Sequence, residues 1–258
     1  AVFSELGAEV ISIGASPDGL NINDHIGSTS PDALSKKVVE VQADLGVAFD
    51  GDGDRTIMVD HLGNIVDGDE ILCVIAKERH RKNIDIGGVV GTKMSNLGLE
   101  LALADLDIPF TRTSVGDRFV LKEMLKRDWL LGGESSGHII CNDITSTGDG
   151  IVSALQALTA VINTERSLLD LRSQMRKLPQ SMINVKLTNT FDLESNQNVK
   201  SAVANIEEKL GTKGRVLLRP SGTEPVLRVM VEGEEGDTVA TYAKELSEIV
   251  LQEVNGSD

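Results

Sequence analysis

Residues 88–131 read GVVGTKMSNLGLELALADLDIPFTRTSVGDRFVLKEMLKRDWLL. Gly88 to Gly91 has the apolar character of a short strand, and Ser95 starts a helix. Ile108 to Val115 reads as strand, Asp117 to Arg127 as helix, and Trp129 to Leu131 as strand again. Short apolar strands separated by helices require a crossover at each step. That connectivity predicts a doubly wound parallel sheet with helices on its faces.

Upstream, Asp67-Gly68-Asp69-Glu70 has the spacing of a capping box and predicts a helix to about His80. Downstream, two helices are expected at 149–163 and 167–176. The run Ile151 to Ile162 carries Gln156 and Thr159 and reads as a buried helix. It falls short of the ~20 apolar residues that a membrane span needs. Leu178-Pro179 is the candidate linker.

At the N-terminus, Ala1 to Gly7 resembles the end of a helix with Gly7 as its stop, a place where a domain rarely begins. A strand is expected from Glu9 to Gly14, then a polar loop through Asn23. Ser30-Pro31 opens a helix, with Ser30 as cap and Leu34, Val38 and Val41 facing inward. Strands follow at Leu45–Phe49 and Thr56–Asp60. Beyond Ser181, strands Met182–Leu187, Val216–Leu218 and Pro225–Val231 and helices 198–210 and Thr238–Val254 indicate a small α+β domain. The predicted architecture is therefore α/β, with mixed or parallel doubly wound sheets, followed by this α+β C-terminal domain. Boundaries fall near 66 and 180, giving 1–66, 67–180 and 181–258.

Forty acidic against twenty-five basic residues leave the 258-residue chain at −15. Such a surface repels nucleic acid and anionic membranes. Aromatic residues at 3% argue further against base stacking, while 40% hydrophobic residues suffice for a core. Cys73 and Cys141 lie in apolar neighbourhoods and read as buried, reduced residues of a cytoplasmic protein. No basic region, apolar run and cleavage site marks a secretory signal.

Three loops carry the chemistry. Asp50-Gly51-Asp52-Gly53-Asp54-Arg55 follows the apolar strand Val47-Ala48-Phe49. In an extended segment the carboxylates at i, i+2 and i+4 point the same way, ~6–7 Å apart. Each pair then repels by roughly 2–3 kcal/mol at an effective dielectric near 20. A hard divalent cation relieves that, and all-oxygen ligands favour Mg²⁺ or Ca²⁺ over zinc. An acidic solvated turn is the bland alternative. An EF-hand fits poorly, because Arg55 and His61 stand where Gly and Glu are required.

Arg219-Pro220-Ser221-Gly222-Thr223-Glu224-Pro225 lies between two strands. Backbone N–H groups and a guanidinium can wrap an anion there, and Arg228 could add a second fork. An ordinary hairpin loop has a similar composition. Gly132-Gly133-Glu134-Ser135-Ser136-Gly137-His138 offers a carboxylate, two hydroxyls and an imidazole to a polyhydroxylated ligand or to proton transfer. His25, His61 and His80 read as surface residues. Two weaker signals sit at strand-to-helix turns: Gly91 to Asn96, which could hold an anion or have Ser95 only as a helix cap, and Ser114 to Arg118, whose charged pair is equally a functional group or a local ion pair.

The ordered set FDGDGDR, GTKMSN, VGDRFV, GGESSGH and RPSGTEPVLRVMVEG closely resembles the α-D-phosphohexomutase superfamily along essentially the whole chain. SNLGLELAL, VGDRFVLKEM and TSTGDGI (145–151) favour its bacterial glucosamine-phosphate branch. Ser135 departs from that branch, which more often shows Gln or Asn there. The resemblance implies an enzyme of four domains, whose first carries a phosphoserine. No segment here matches that serine motif, so the expected content is the end of domain two, all of domain three and all of domain four. It implies that Asp50, Asp52 and Asp54 bind Mg²⁺ and that Arg55 sits beside the phosphoserine. It implies that Glu134 and Ser136 hold sugar hydroxyls and that His138 is an acid/base candidate. Arg219, Ser221, Gly222, Thr223 and Arg228 would grip the phosphate that is not reacting. The implied reaction interconverts glucosamine 6-phosphate and glucosamine 1-phosphate through a bisphosphate. A glucose- or mannose-phosphate mutase, a phosphatase using Asp50 as nucleophile, and a non-catalytic sugar-phosphate binder are the alternatives.

Overall fold

The computed structural model describes residues 1–187, 193, 195–221 and 224–255. The chain forms two compact units, one of residues 1–95 and 102–175, the other of residues 96–101 and 176–258.

The first unit opens with α1 (Val2–Glu5), which ends at Gly7 with φ +95°. The strand expected over Glu9–Gly14 does not form. Val10 and Ile11 are 46% and 53% exposed, and no described strand runs beside them to take their backbone groups. Helix α2 (Asp32–Val41) starts later than the Ser30 cap predicts. Pro31 occupies the cap position, and no side chain caps the helix. Leu34 and Val38 pack α2 onto Gly46 of β1 (Leu45–Phe49), where a Cβ would come within 2.9 Å of both. Strand β1 pairs antiparallel with β2 (Thr56–Asp60), and β2 with β3 (Ile65–Val66). The acidic loop is thus the tip of the β1–β2 hairpin.

Asp67 caps α3 (Gly68–Arg81) through the expected reciprocal pair. Its carboxylate accepts the Asp69 and Glu70 N–H groups, and Glu70 accepts the Asp67 N–H. Beyond it come β4 (Val89–Thr92), α4 (Leu97–Ala104), β5 (Phe110–Thr113), α5 (Asp117–Arg127), β6 (Leu131–Gly133) and β7 (Ile139–Cys141). The sheet order is β5-β4-β6-β7. Strand β4 runs parallel to both neighbours, as the helical crossovers demand, while β7 is antiparallel to β6. Strand β7 was not anticipated, because its three residues are too short to show a period. Its hairpin with β6 places the Glu134–His138 loop at a tip.

Helix α6 (Gly150–Thr164) corrects another expectation. It buries its small residues Ser153, Ala154, Ala157 and Ala160 while Ile151 and Ile162 are 39% and 73% exposed. Small side chains let α6 approach α3 closely. The short α7 (Leu168–Arg172) closes this unit with Leu168 and Leu171 buried.

The second unit holds β8 (Gln180–Lys186), α8 (Gln197–Leu210), a 3₁₀ turn at Gly211–Lys213, β9 (Gly214–Pro220), β10 (Val226–Gly233) and α9 (Gly236–Asn255). Its antiparallel sheet has the order β8-β10-β9. Val185, Leu227, Val229 and Val231 pack with Val199 and Ile206 of α8 and with Val239, Ala243, Leu246 and Val250 of α9. Full burial of each large aliphatic side chain contributes roughly 1.5–3 kcal/mol. Glu232 is fully buried in this unit and accepts from the Leu97 N–H at 2.8 Å, Gln180 Nε2 at 2.8 Å and Arg215 Nε at 2.6 Å. Asn96 adds hydrogen bonds to both the N–H and the carbonyl of Leu178. These contacts fasten residues 96–101 into the unit.

Among the described residues no helix is long and apolar enough to cross a membrane.

Candidate metal and sugar-phosphate site

The tip between β1 and β2 is a tight turn, not the extended segment expected from alternation. Asp50 Oδ1 accepts the N–H groups of Gly53 at 2.9 Å and Arg55 at 3.2 Å, and Gly53 turns with φ +74°. The turn gathers one oxygen from each of Asp50, Asp52 and Asp54 to within 4.8 Å of one another. At that separation a pair of full charges repels by about 3 kcal/mol at an effective dielectric near 20. Burial foremost, and then the neighbouring Asp50 carboxyl, push Asp54 above the usual carboxylate range, while His138 and Arg55 pull it down. Asp54 Oδ1 is buried without a hydrogen-bond partner. Oxygen-only donors, mutual repulsion and an orphaned carboxylate oxygen all suit a hard divalent cation. Arg55 Nε lies 3.9 Å from Asp50 Oδ2, an ion-pair distance too long for a hydrogen bond.

The β6–β7 tip is fastened to this turn by its backbone. Thr56 donates its N–H to the Gly137 carbonyl at 3.0 Å, and Arg55 and His138 form an isolated antiparallel bridge. Gly137 has φ +94°, and a Cβ there would lie 2.1 Å from the Thr56 carbonyl oxygen. The Gly68 N–H, at the start of α3, donates to the Ser135 carbonyl at 3.0 Å. His138 is 4% exposed, with Nε2 3.5 Å from Asp54 Oδ2 and Nδ1 buried without a partner. Glu134 Oε1 accepts the Gly116 N–H at 2.9 Å, at the N-terminus of α5. A carboxylate is favoured at that end of a helix. Ser136 is exposed at the tip.

In the second unit, Arg219 of β9 and Arg228 of β10 are direct cross-strand partners. Each has its Nε buried without a hydrogen-bond partner. The loop between them is closed by the Ser221 N–H on the Val226 carbonyl at 2.9 Å and by the Glu224 N–H on Ser221 Oγ at 3.3 Å. Gly222 and Thr223 lie outside the described residues.

Residues 67–178 match the family description "Phosphoglucomutase/phosphomannomutase, alpha/beta/alpha domain III", and residues 182–249 match the C-terminal domain of the same family. The chain belongs to the phosphoglucomutase/phosphomannomutase family over these two segments. Phosphoglucosamine mutase of Hahella chejuensis is 57% identical over 250 residues, 97% of this chain and 56% of that protein. The chain thus spans little more than half the length of such relatives. A phosphoglucomutase/phosphomannomutase family protein from Burkholderia thailandensis superposes with TM-score 0.78 at 20% identity, over 98% of this chain and 57% of that one. Aspergillus fumigatus N-acetylphosphoglucosamine mutase, solved with GlcNAc-6P and magnesium, gives 0.71 at 19% identity, over 91% and 58%.

In this chain the structure gathers Asp50, Asp52, Asp54, Arg55, Glu134, Ser136 and His138 around the two joined tips of the first unit. Sequence reasoning missed Gly116 and Gly68 as supports. Gly116 sat in the weaker strand-to-helix signal, which drew notice for its charges and not for its N–H. Arg118 in that segment lies over the Phe119 ring, its guanidinium carbon 4.6 Å from the centroid. In the Gly91–Asn96 turn, Ser95 Oγ accepts the Thr92 N–H, and Arg112 donates to the Thr92 and Ser95 carbonyls. His25, His61 and His80 are exposed, as expected.

Proposed function

We propose that this chain supplies the metal, sugar and distal-phosphate sites of a phosphoglucosamine mutase, interconverting glucosamine 6-phosphate and glucosamine 1-phosphate. On this reading residues 1–66 would be the C-terminal part of domain two, 67–180 domain three and 181–258 domain four. The phosphoserine donor would come from the part of the relatives that lies outside the match. The observation that carries the reading is the Arg55–His138 backbone bridge, which sets an acidic turn beside a carboxylate, hydroxyl and imidazole loop.

Asp50, Asp52 and Asp54 would hold Mg²⁺. When bound, that cation supplies charge neutralisation for the transferring phosphoryl group. Arg55 would face the phosphate from beside the turn. Glu134, fixed through Oε1 by Gly116, would keep its other oxygen for sugar hydroxyls. Ser136 would add a hydroxyl contact. His138, buried beside Asp54, would hold or deliver a proton at the reacting hydroxyl. Arg219 and Arg228, with the Ser221–Thr223 loop, would grip the phosphate remote from the chemistry, so that remote binding energy serves the reaction. A net charge of −15 disfavours nucleic acid and anionic membranes, and the attraction for a sugar phosphate would come locally from Arg55, Arg219 and Arg228. Cys73 and Cys141 are free and buried, and burial pushes both thiols up to about 11, which suits a reducing cytoplasm.

The test is calorimetric. Glucosamine 6-phosphate should bind the chain in the presence of Mg²⁺, and it should bind more tightly than mannose 6-phosphate. Equal affinity would move the reading to another phosphohexomutase branch, and no binding of either would overturn it.

A further inference from the structure

The segment Thr145-Ser146-Thr147-Gly148-Asp149-Gly150 has no part in the reading above, yet it abuts the acidic turn. Asp149 caps the fifteen-residue α6, its Oδ1 accepting the Val152 N–H at 3.0 Å. The Gly150 N–H is directed elsewhere, to the Gly53 carbonyl at 2.9 Å. A Cβ on Gly150 would lie 2.8 Å from the Arg55 carbonyl oxygen, 3.1 Å from that of Gly53 and 2.7 Å from a ring carbon of Phe49. A Cβ on Gly148 would lie 2.3 Å from Nε2 of His138 and 2.5 Å from its Cε1. Neither glycine has a left-handed backbone, so closeness and not conformation excludes larger residues.

Gly53 and Arg55 flank Asp54 in the chain, and the His138 imidazole faces it. One helix end therefore fixes the carboxylate from both sides of its backbone and from the group opposite. Asp54 needs that support, because its buried Oδ1 has no partner of its own.

We propose that Gly148 and Gly150 are positioning residues for the metal turn, setting its affinity for a divalent cation from outside the ligand set. The proposal rests on the metal reading of Asp50, Asp52 and Asp54. Outer contacts that orient ligands typically change metal affinity by about 10–100-fold.

Mg²⁺ titration of the purified chain by calorimetry tests it, alongside melting in EDTA. Gly150→Ala and Gly148→Ala should each weaken Mg²⁺ binding by about ten-fold or more. Asp52→Asn should weaken it at least as far. Ile151→Ala, on the same turn of α6 but exposed, should leave it unchanged. Gly148→Ala meets only the His138 imidazole, which must shift to admit it, so metal-free melting in EDTA separates loss of fold from loss of metal affinity even if Gly150→Ala fails to fold. Unchanged Mg²⁺ affinity in the folded glycine variants, with Asp52→Asn impaired, overturns the positioning role and leaves the metal reading standing. Unchanged affinity in Asp52→Asn overturns both.

Discussion

Arg219 and Arg228 stand directly opposite each other across β9 and β10, each with a buried Nε that no protein group accepts. Like charges placed this way disfavour a sheet by roughly 0.2–1 kcal/mol. A bound phosphate would reverse the sign by giving both forks an acceptor, as the proposed phosphate grip requires.

Arg219→Ala separates those two effects. A charge-assisted hydrogen bond contributes about 1.5–3 kcal/mol, so sugar-phosphate affinity should fall by roughly ten- to a hundred-fold. Ligand-free stability should hold or rise slightly. Calorimetry reads the first and chemical denaturation the second; equal affinity would remove phosphate from the assignment.

Glu134→Gln addresses the sugar loop. The Gly116 N–H holds one oxygen in place, and the amide oxygen of Gln can still accept it. The lost negative charge should weaken hydroxyl binding in both orientations of the sugar. Forward and reverse mutase rates of the whole enzyme should fall together. Loss in one direction only contradicts a carboxylate shared by both orientations.

Glu78 contributes one part of the pH dependence of the fold. Its side chain is 6% exposed and accepts from Arg81 at 2.8 and 2.9 Å and from Asn163 of α6 at 2.8 Å. The Arg81 hydrogen bonds foremost hold its carboxyl below the ordinary range, against the opposing pull of burial. Its contribution is present above the unfolded-state value of about 4.3 and is lost as pH falls through the lower folded-state value. Glu78→Gln should lower the melting temperature at pH 7, and the gap to the unmodified chain should narrow below pH ~4. A gap constant from pH 7 to pH 3 would refute the linkage.

Glu232→Ala tests the anchor of the second unit. It removes the shared acceptor of Arg215 Nε, Gln180 Nε2 and the Leu97 N–H and leaves a buried void. Breaking a buried, hydrogen-bonded charge in this way costs about 3–5 kcal/mol. Glu232→Gln, which retains an acceptor, should cost less. Urea midpoints measure both, and equal loss in the two variants would show that the charge, which both lack, and not side-chain volume or a neutral acceptor holds residues 96–101.

The β4 to β6 alternation, the Asp67 capping box and the position of the acidic turn between two strands were legible because each is a local pattern. Periodicity, caps and glycine-spaced carboxylates are written in neighbouring residues. The Glu9–Gly14 strand was misread for the same reason: its pattern suits a strand, but a strand also needs a hydrogen-bonded neighbour. The buried face of α6 was misjudged because apolar size suggests Ile151 and Ile162, whereas close packing on α3 favours alanine.

By itself the sequence determined the alternation of strands and helices from β4 to β6, the acidic charge, and which residues are candidates to bind a cation, a sugar or a phosphate. Tertiary structure decided which of those residues meet. The Thr56–Gly137 hydrogen bond joins tips about 80 residues apart in sequence, the Gly116 N–H selects one oxygen of Glu134, and sheet register sets Arg219 against Arg228. Those pairings depend on backbone hydrogen bonds and on spaces too small for a Cβ. Neither leaves a periodic trace in the chain, because the partners are chosen by geometry across the fold and not by neighbours along it.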